Sequence, residues 1–221
     1  MHSSALKTAS LTLERDLRAR GISTIIGLDE AGRGAWAGPV VAGAACLPLE
    51  RDDLLALLSG VYDSKQLTPQ RRAHLANRII RVAAAWGMGI ASNVEIDALG
   101  IVPATRLAME RALASAMVAA PSMQPSYLLL DAIHWPQLAL PHRALIRGDQ
   151  QSLSIAAASV LAKVYRDQMM VDLDRHYPNY GFAAHKGYGT AAHRAALAAY
   201  GMTPAHRASF APLRAFSAKA E

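Results

Sequence analysis

The fold of this chain is decided by residues 24–34, which read TIIGLDEAGRG. The first five residues are mostly β-branched and apolar, and Asp29 follows them, so the run predicts a buried strand. A second apolar run, 39–47, begins with proline, which is tolerated at the first position of a strand. Because the glycine-rich segment 32–38 separates the two runs, we expect two strands joined by a hairpin-like turn.

Strand and helix patterns alternate through the rest of the chain. Thr68 can cap a helix whose first residue is Pro69. Further strands are predicted at 86–92, 127–130 and 144–146, and further helices at 103–120, from 154 to about 176, and in a last region that Gly201 ends. The first half of the long helix, 155–162, is apolar on every side and must be buried. This order predicts an α/β fold, a mixed β-sheet flanked by helices.

The composition is typical of one folded domain. Of 221 residues, 52% are hydrophobic and 18% charged, which excludes a disordered or coiled-coil protein. Lysine and arginine number 23 against 17 aspartates and glutamates, and a net charge of +6 favours a polyanionic partner, nucleic acid or an acidic membrane surface. The single Cys46 excludes a disulfide scaffold and a cysteine-rich zinc site, and favours a reducing compartment.

Neither a membrane span nor an export signal is predicted. The uncharged stretch 34–49 contains Pro39 and Pro48 and is shorter than the roughly 20 residues that a spanning helix needs. The first 20 residues have no continuous apolar core ahead of Glu14. We therefore expect a cytoplasmic protein with no membrane partner.

Acidic residues follow the predicted strands. Asp29 and Glu30 end the first strand, Asp131 ends another, and Asp149 comes after a third. Adjacent strand residues point to opposite faces, so Asp29 and Glu30 can share a site only if the strand ends there. Clustered carboxylates repel one another unless a cation such as Mg²⁺ or Mn²⁺ neutralises them. Each acid alone could be a cap or a surface residue, but acids at the ends of separate apolar strands favour a metal site for phosphodiester hydrolysis.

The loop Gly32-Arg33-Gly34 comes directly after the first two acids. Its glycines permit a close approach of backbone to a ligand, and Arg33 can bind phosphate. A Gly-x-Gly alone is weak evidence, because a tight turn explains it equally well. It fits neither the dinucleotide-binding fingerprint nor the phosphate-binding loop.

Taken together and in order, these motifs resemble the ribonuclease HII family. The segments that carry the resemblance are 27–34, 37–41, 63–67, 147–149, 155–159, 162–167, 185–190 and 206–210. The resemblance implies a ribonuclease H-like mixed β-sheet flanked by helices, with a helical C-terminal region. We expect an N-terminal extension over 1–23, the catalytic domain over 24–213 and a tail over 214–221.

The resemblance also implies the activity. It implies a Mg²⁺- or Mn²⁺-dependent endonuclease that cuts the RNA strand of an RNA–DNA hybrid. It further implies nicking 5′ of single ribonucleotides in duplex DNA, which leaves a 3′-hydroxyl and a 5′-phosphate. The catalytic and metal-binding residues would be Asp29, Glu30, Asp131 and Asp149.

The resemblance implies nucleic-acid contacts as well. Gly32, Arg33 and Gly34 would read the 2′-hydroxyl with backbone groups, since this group distinguishes RNA from DNA. Tyr188 would stack on the sugar of the following deoxynucleotide, although a loop aromatic packed on the C-terminal helix is the plainer interpretation. Phosphate contacts are expected from Ser64, Lys65 and Lys186. For Lys163 and Arg166, a solvated or salt-bridged role is as consistent with the sequence as DNA contact.

The sequence departs from the family pattern at four positions, Ala35, Trp36, Gly100 and Ala132. In the family, proline and leucine are commoner at the first two, asparagine at the third and glycine at the fourth. None of these departures removes a proposed ligand. We expect them to affect rate or substrate preference rather than the type of reaction.

Two other interpretations remain open from the sequence. A ribonuclease HIII-like hybrid nuclease would usually carry an extra N-terminal domain and Gly-Lys-Gly in place of Gly-Arg-Gly. A non-catalytic hybrid-binding protein would gain nothing from four acids that face phosphates. We expect a monomer, and residues 215–221 contain no convincing peptide for a sliding-clamp partner.

Overall fold

The computed structural model describes residues 7–217. The strands are β1 (Ile25–Ala31), β2 (Val40–Cys46), β3 (Ala85–Ala91), β4 (Tyr127–Asp131) and β5 (His142–Leu145). The α-helices are α1 (Thr12–Ala19), α2 (Leu54–Leu57), α3 (Pro69–Val82), α4 (Asn93–Leu99), α5 (Ile101–Ala119), α6 (Leu153–His176), α7 (Phe182–His185), α8 (Ala191–Tyr200) and α9 (Arg214–Ser217). The predicted elements are confirmed with shifts of a few residues at their ends.

The strands form one sheet in the spatial order β3–β2–β1–β4–β5. The first three strands are antiparallel neighbours, whereas β4 and β5 join the other side of β1 in parallel. The sheet is therefore mixed, as predicted. Because β1, β4 and β5 run in the same direction, their carboxyl ends meet at one edge, and the acids that follow them are brought together there.

Long helices cover both faces of the sheet at close range. A Cβ at Gly43 would lie 2.4 Å from the carbonyl oxygen of Ala158 in α6, and one at Gly89 would lie 2.0 Å from that of Ala108 in α5. These glycines thus permit backbone-to-backbone packing that any side chain would block. Residues 155–162 of α6 are all buried, which confirms the prediction from their all-round apolar character.

The N-terminal segment is packed onto the start of α6. Ala9 and Leu11 are buried in the core, and Glu14 of α1 is fully buried. One carboxylate oxygen of Glu14, Oε1, accepts hydrogen bonds from the Ser152 hydroxyl at 2.6 Å and the Ser154 N–H at 2.9 Å. The carboxylate therefore caps the amino end of the longest helix, where negative charge is favoured.

The division into extension, domain and tail stays a prediction. Residues 9–14 pack into the same core as the sheet, and the C-terminal helices enclose a smaller cluster around Phe182. Residues 1–6 of the predicted extension and 218–221 of the predicted tail lie outside the described residues. Over 7–217, none of the helices has the length and apolar character needed to cross a bilayer.

Candidate active site

Four buried or half-buried carboxylates, Asp29, Glu30, Asp131 and Asp149, form what we call the acid cluster. Asp29 and Glu30 lie on β1, Asp131 is the last residue of β4, and Asp149 lies in a 3₁₀ turn directly after β5. The expectation that Asp29 and Glu30 end the first strand is wrong by one residue. The ladder with β2 continues until Ala31 pairs with Val41. The condition that the strand must end for Asp29 and Glu30 to share a site is therefore wrong as well, because the charge of Glu30 acts on Asp29 although both lie on a continuous strand.

Hydrogen bonds fix the carboxylates from several elements. Asp131 Oδ1 accepts from the Gly148 N–H at 2.6 Å, which ties the end of β4 to the turn that carries Asp149. Asp29 Oδ1 accepts from the Glu30 N–H at 2.7 Å. Interaction with Ser159 of α6 opposes the rise in the pKa of Asp29 that burial causes. The cluster is thus assembled from three strands' ends and the long helix.

The acids of the cluster destabilise one another's charged forms. Burial raises the pKa of Asp29 well above its ordinary value, and the charges of Glu30 and Asp131 raise it further. Burial raises the pKa of Glu30 to about 7, and that of Asp149 to about 6 with help from Asp63 and Asp131. Burial also raises the pKa of Asp131, against the hydrogen bond from Gly148. Such mutual repulsion is what a bound cation would relieve.

The donor set suits a hard divalent cation in an open site. All four groups offer carboxylate oxygens, and Glu30 Oε2 is buried without a hydrogen-bond partner. Between residues 7 and 217, no three acidic, histidine or cysteine side chains are already grouped as a cage for an ion. The fit to a hard cation such as Mg²⁺ or Mn²⁺ rests on the oxygen donors themselves, since such an ion is held by a few carboxylates together with water and substrate phosphate.

A cavity of about 560 Å³ opens beside the acid cluster. Its lining includes seven residues predicted for the site: Glu30, Gly32, Arg33, Gly34, Ser64, Lys65 and Tyr188. Asp29, Asp131 and Asp149 lie outside that lining, and Lys186 lines a neighbouring groove of about 210 Å³. The structure therefore brings the predicted ribose-reading loop, Tyr188 and two of the three predicted phosphate contacts, Ser64 and Lys65, around one space.

Cationic and hydroxyl groups border the cavity next to the acids. Arg33 Nη1 lies 3.3 Å from Glu30 Oε1. Burial would lower the pKa of Lys65, but the carboxylates of Asp29 and Asp149 outweigh burial and raise it. The Ser64 hydroxyl is buried and shares a hydrogen bond of 2.9 Å with Ser159. Lys65 is thus held charged beside the acid cluster.

The Tyr188 loop packs against the loop of residues 32–38. The Tyr188 ring is 37% exposed, and a Cβ at Gly34 would lie 3.9 Å from it. Trp36 N–H donates to the Gly187 carbonyl at 2.8 Å. The alternative of a tyrosine simply buried against the C-terminal helix is thereby disfavoured, because the ring borders the cavity.

Two buried histidines support the Tyr188 loop from behind. His193 Nδ1–H donates to the Tyr188 carbonyl at 3.0 Å, which leaves His193 Nε2 as an acceptor. His206 Nε2–H therefore donates to it at 3.0 Å, and His206 Nδ1 accepts from the Thr203 N–H. The partners thus assign both tautomers and require both rings to be neutral.

The sequence does not predict the roles of Asp63 and Arg72 near the site, and it leaves more than one role open for Lys163 and Arg166. Asp63 accepts from the Gln150 amide at 3.3 Å and adds a fifth acid near Asp149, although its motif was noticed. Arg72 is buried in an ion pair with Asp167 and also lines the cavity. Of the roles open for Lys163, the structure shows the salt bridge, to Asp167. Arg166 is fully buried and, within 7–217, is neither solvated nor salt-bridged.

The departures from the family pattern have local explanations. Ala132 adopts φ +47° and is exposed, so glycine would fit its backbone better. Trp36 packs flat against Gly189, where a Cβ would come within 2.2 Å of the indole. Gly100 has φ +84° between α4 and α5, a conformation that favours glycine. Ala35 is fully buried behind the loop.

Carboxylates from several strand ends, beside a basic cavity on a mixed sheet, define a metal-dependent nuclease with a ribonuclease H-like fold. Solved structures agree with this class. The ribonuclease H2 of Pyrococcus horikoshii OT3 is similar with a TM-score of 0.71 and 25% identity over 89% of this chain and 98% of that one. Bst-RNase HIII in complex with Mn²⁺ has a TM-score of 0.66 at 19% identity over 88% and 69%, a likeness of fold alone.

Sequence comparisons give the family within that class. The family model described as Ribonuclease HII matches residues 26–213. Ribonuclease HII of Chloroflexus aurantiacus is 51% identical over 92% of this chain and 93% of its own, and that of Geobacillus thermodenitrificans is 53% identical over 91% and 73%. The chain belongs to the ribonuclease HII family, as its motifs predicted. It is an endoribonuclease that acts on RNA–DNA hybrids and depends on a divalent metal ion.

Proposed function

We propose that this enzyme uses the acid cluster to bind Mg²⁺ or Mn²⁺ and cuts at ribonucleotides, including single ones embedded in duplex DNA. The observation that carries the proposal is the juxtaposition of four mutually repelling carboxylates with a cavity lined by Gly32, Arg33, Gly34 and Tyr188. The acids would serve the reaction at phosphorus, and the cavity would select where it occurs.

The acid cluster would place the scissile phosphate and the attacking water. When bound, the ions supply the positive charge that activates the water and stabilises the leaving oxygen. Asp29 and Asp131 are held by hydrogen bonds from Glu30 and Gly148, so their remaining oxygens have fixed directions. Hydrolysis that breaks the bond to the 3′-oxygen gives the 3′-hydroxyl and 5′-phosphate products.

The loop and Tyr188 would recognise the junction between RNA and DNA. Backbone groups of Gly32, Arg33 and Gly34 can approach a 2′-hydroxyl closely because the glycines leave no side chain in the way. The half-exposed ring of Tyr188 borders Gly34 and can stack on the neighbouring deoxyribose, where a 2′-oxygen would clash. The two contacts together would favour a ribonucleotide followed by a deoxynucleotide.

Basic side chains would hold the flanking phosphates. Ser64 and Lys65 line the cavity next to the acids and are proposed to contact the phosphate of the cut strand. Lys186 lines the neighbouring groove, so its proposed contact is with a phosphate further along the nucleic-acid strand. In the absence of substrate its ammonium group donates to the Ala183 carbonyl. The net charge of +6 favours such a polyanionic substrate.

A nicking assay tests the proposal. One strand of a DNA duplex carries a single ribonucleotide, and the enzyme is incubated with Mg²⁺, with Mn²⁺ and with EDTA. We expect nicking 5′ of the ribonucleotide only with a divalent ion, and none in the same duplex made of DNA alone. Equal cleavage of the all-DNA duplex would contradict the proposal. Product from long hybrids only would favour the ribonuclease HIII-like alternative, and no product with any ion would favour a binding protein.

A matched pair of variants tests the ligand assignment in the same assay. Asp29→Asn keeps the shape of the side chain and should abolish nicking while circular dichroism shows an intact fold. Asp53→Asn, at an exposed aspartate paired with Arg51, should nick at the wild-type rate. Full activity of Asp29→Asn would refute the assignment.

The state and setting of the enzyme are also proposals. We propose a cytoplasmic monomer with its catalytic domain over 24–213, an N-terminal extension over 1–23 and a tail over 214–221. Light scattering coupled to size exclusion should give the mass of one chain, 23.6 kDa.

A further inference from the structure

Two buried arginines, Arg166 of α6 and Arg207 near the C-terminus, which we call the arginine pair, lie directly behind the ribose-reading loop. Both side chains are fully buried. The proposed reaction gives neither of them a role, because neither reaches the cavity lining.

Every hydrogen bond of the Arg207 side chain goes to a backbone carbonyl of the loop that begins at Gly32. Its Nη2 donates to the Gly32 oxygen at 2.8 Å, its Nη1 to the Arg33 oxygen at 2.9 Å, and its Nε to the Gly38 oxygen at 2.9 Å. One guanidinium group therefore holds both ends of the loop, and two of its three acceptors belong to the Gly-Arg-Gly motif itself.

Arg166 links the same loop to the Tyr188 loop. It donates to the carbonyls of Pro39 at 2.9 Å, Ala37 at 3.2 Å and Lys186 at 3.0 Å. Its guanidinium group also lies 5.6 Å from the centre of the Tyr188 ring. The two elements that would recognise the substrate are thus joined through one side chain.

The Gly32 backbone lies against the Arg166 side chain. A Cβ at Gly32 would come within 1.9 Å of Arg166 Nε, and Gly32 has φ +96°. Glycine at this position is therefore required by the arginine behind the loop as well as by any ligand in front of it. The loop is confined between them.

Neither arginine is paired with an acid within residues 7–217. A buried guanidinium group without a carboxylate is stable only while its N–H groups keep their acceptors. Movement of the loop carbonyls would leave a buried charge unsatisfied, which is more costly than the loss of neutral hydrogen bonds. The arrangement thus holds the loop in a single conformation before substrate binds.

We propose that Arg207 and Arg166 are positioning residues that preorganise the Gly32–Gly34 loop and Tyr188 for recognition of the ribose. This inference rests on the proposed function of that loop. The arginine pair acts through the backbone and touches no substrate atom. The arginine pair would keep the loop and Tyr188 accurately placed, which matters because a small displacement of a recognition group lowers the rate of cleavage by a large factor.

The test compares ribose-dependent cleavage with general DNA affinity. For wild type, Arg207→Lys and Arg166→Lys, kcat and KM are measured on the duplex with one ribonucleotide, and the all-DNA duplex serves as a competitive inhibitor. Lysine keeps the charge but cannot reach three carbonyls. We expect Arg207→Lys to lower kcat/KM by about 100-fold, mainly through kcat, while the inhibition constant of all-DNA changes by less than about twofold.

Two controls separate positioning from loss of stability. Met109→Ala creates a cavity in the core on the α5 side of the sheet and should lower the melting temperature without changing the ratio of ribose-dependent cleavage to DNA affinity. In Arg207→Ala, millimolar guanidinium should restore part of the cleavage, whereas equimolar urea should not.

The outcomes are distinct. A wild-type enzyme that fails to nick at a single ribonucleotide overturns the proposed function itself. If the wild type nicks but Arg207→Lys stays within about threefold of it, or loses DNA affinity to the same extent as cleavage, the positioning role is wrong. A Met109→Ala variant with the same selective loss would also overturn it.

Discussion

The acid cluster and the arginine pair are two groups of buried charge at the same end of the sheet, and they differ in how their charges are satisfied. The carboxylates of the cluster raise one another's pKa, and Glu30 Oε2 has no hydrogen-bond partner. The guanidinium groups of the pair donate to six backbone carbonyls.

This difference indicates that the acid cluster and the arginine pair have different roles. The acid cluster is completed only by something that the chain does not provide, which suits a site for cations and phosphate. The arginine pair is complete within the chain, which suits a rigid frame for recognition. Removing charge from the cluster should therefore stabilise the fold and abolish function, whereas removing charge from internally satisfied sites should destabilise the fold.

The largest expected effect comes from Asp149→Asn. Cleavage should fall by at least about 1,000-fold, because a metal ligand is lost. The pKa of Asp149 is raised from 3.8 to about 6, so its charged form costs folding energy above pH 6. Without divalent ions at pH 8, the free energy of unfolding should rise by about 1–3 kcal/mol. Urea unfolding in EDTA measures this, and a destabilised variant would contradict the comparison.

The buried histidines behind Tyr188 provide the next test, because they are satisfied only when neutral. Burial, with His193 nearby, lowers the pKa of His206 from 6.5 to about 4, and His185 opposes its protonation as well. Between pH 6.5 and pH 4, His206 is mostly protonated in the unfolded chain but mostly neutral in the folded chain. Stability should therefore fall by about 3 kcal/mol as the pH drops from 6.5 to 4, and no further from this group below that.

His206→Gln isolates this contribution. The variant should be less stable at pH 8, because its hydrogen bonds to His193 and Thr203 are perturbed. Its loss of stability between pH 6.5 and 4 should be smaller than in the wild type, since one titrating group is gone. Parallel stability curves for the two proteins, measured by urea unfolding, would show that His206 does not resist protonation.

Glu14 offers a buried carboxylate that the chain satisfies on one side, because Oε1 accepts two hydrogen bonds whereas Oε2 is buried without a partner. Glu14→Leu removes two hydrogen bonds from the first turn of α6 and should lower the free energy of unfolding by about 2–3 kcal/mol. Glu14→Gln keeps an acceptor and should lose about 1 kcal/mol, the share of the charge at the helix end. Chemical denaturation of both variants checks this order. Stabilisation by either substitution would place Glu14 with the acid cluster instead.

The smallest expected effect is at Ala132, next to the acid cluster. Its φ of +47° is strained for alanine, and its side chain is exposed. Ala132→Gly should raise the stability by about 0.5–1 kcal/mol, or a few degrees in melting temperature. Calorimetry measures the shift. An unchanged or lower melting temperature would show that the alanine makes compensating contacts.

Much of the fold and of the site was predictable from local sequence. The alternation of apolar runs indicated the strands, and the all-round apolar face of 155–162 indicated a buried helix, because both signals depend on burial alone. The acids were found because charge at the end of an apolar strand needs an explanation. The family motifs then indicated which of these features come together in the folded protein.

Other features depended on contacts that no local pattern reports. From the sequence alone, Arg166 and Arg207 look like surface residues. No local pattern reveals their contacts, because the carbonyls that accept their hydrogen bonds belong to residues more than 100 positions away or to a neighbouring loop. The continuation of β1 past Asp29 depends on its pairing with β2 and not on its own composition. Glu14 was noted only as a charge that breaks an apolar stretch, whereas its partners lie on α6.

The 24-residue helix α6 has one more consequence. Ser159 lies beside Asp29 of the acid cluster, and Arg166 contacts the loop that would sense ribose, so about two turns of α6 separate these two positions. Inserting a single amino acid between them would rotate everything downstream by about 100°. Each half would keep its own chemistry, yet the two would be out of phase. The seven-residue spacing between Ser159 and Arg166 thus sets the relative orientation of the two sites, and this spacing matters more than the identity of most residues inside it.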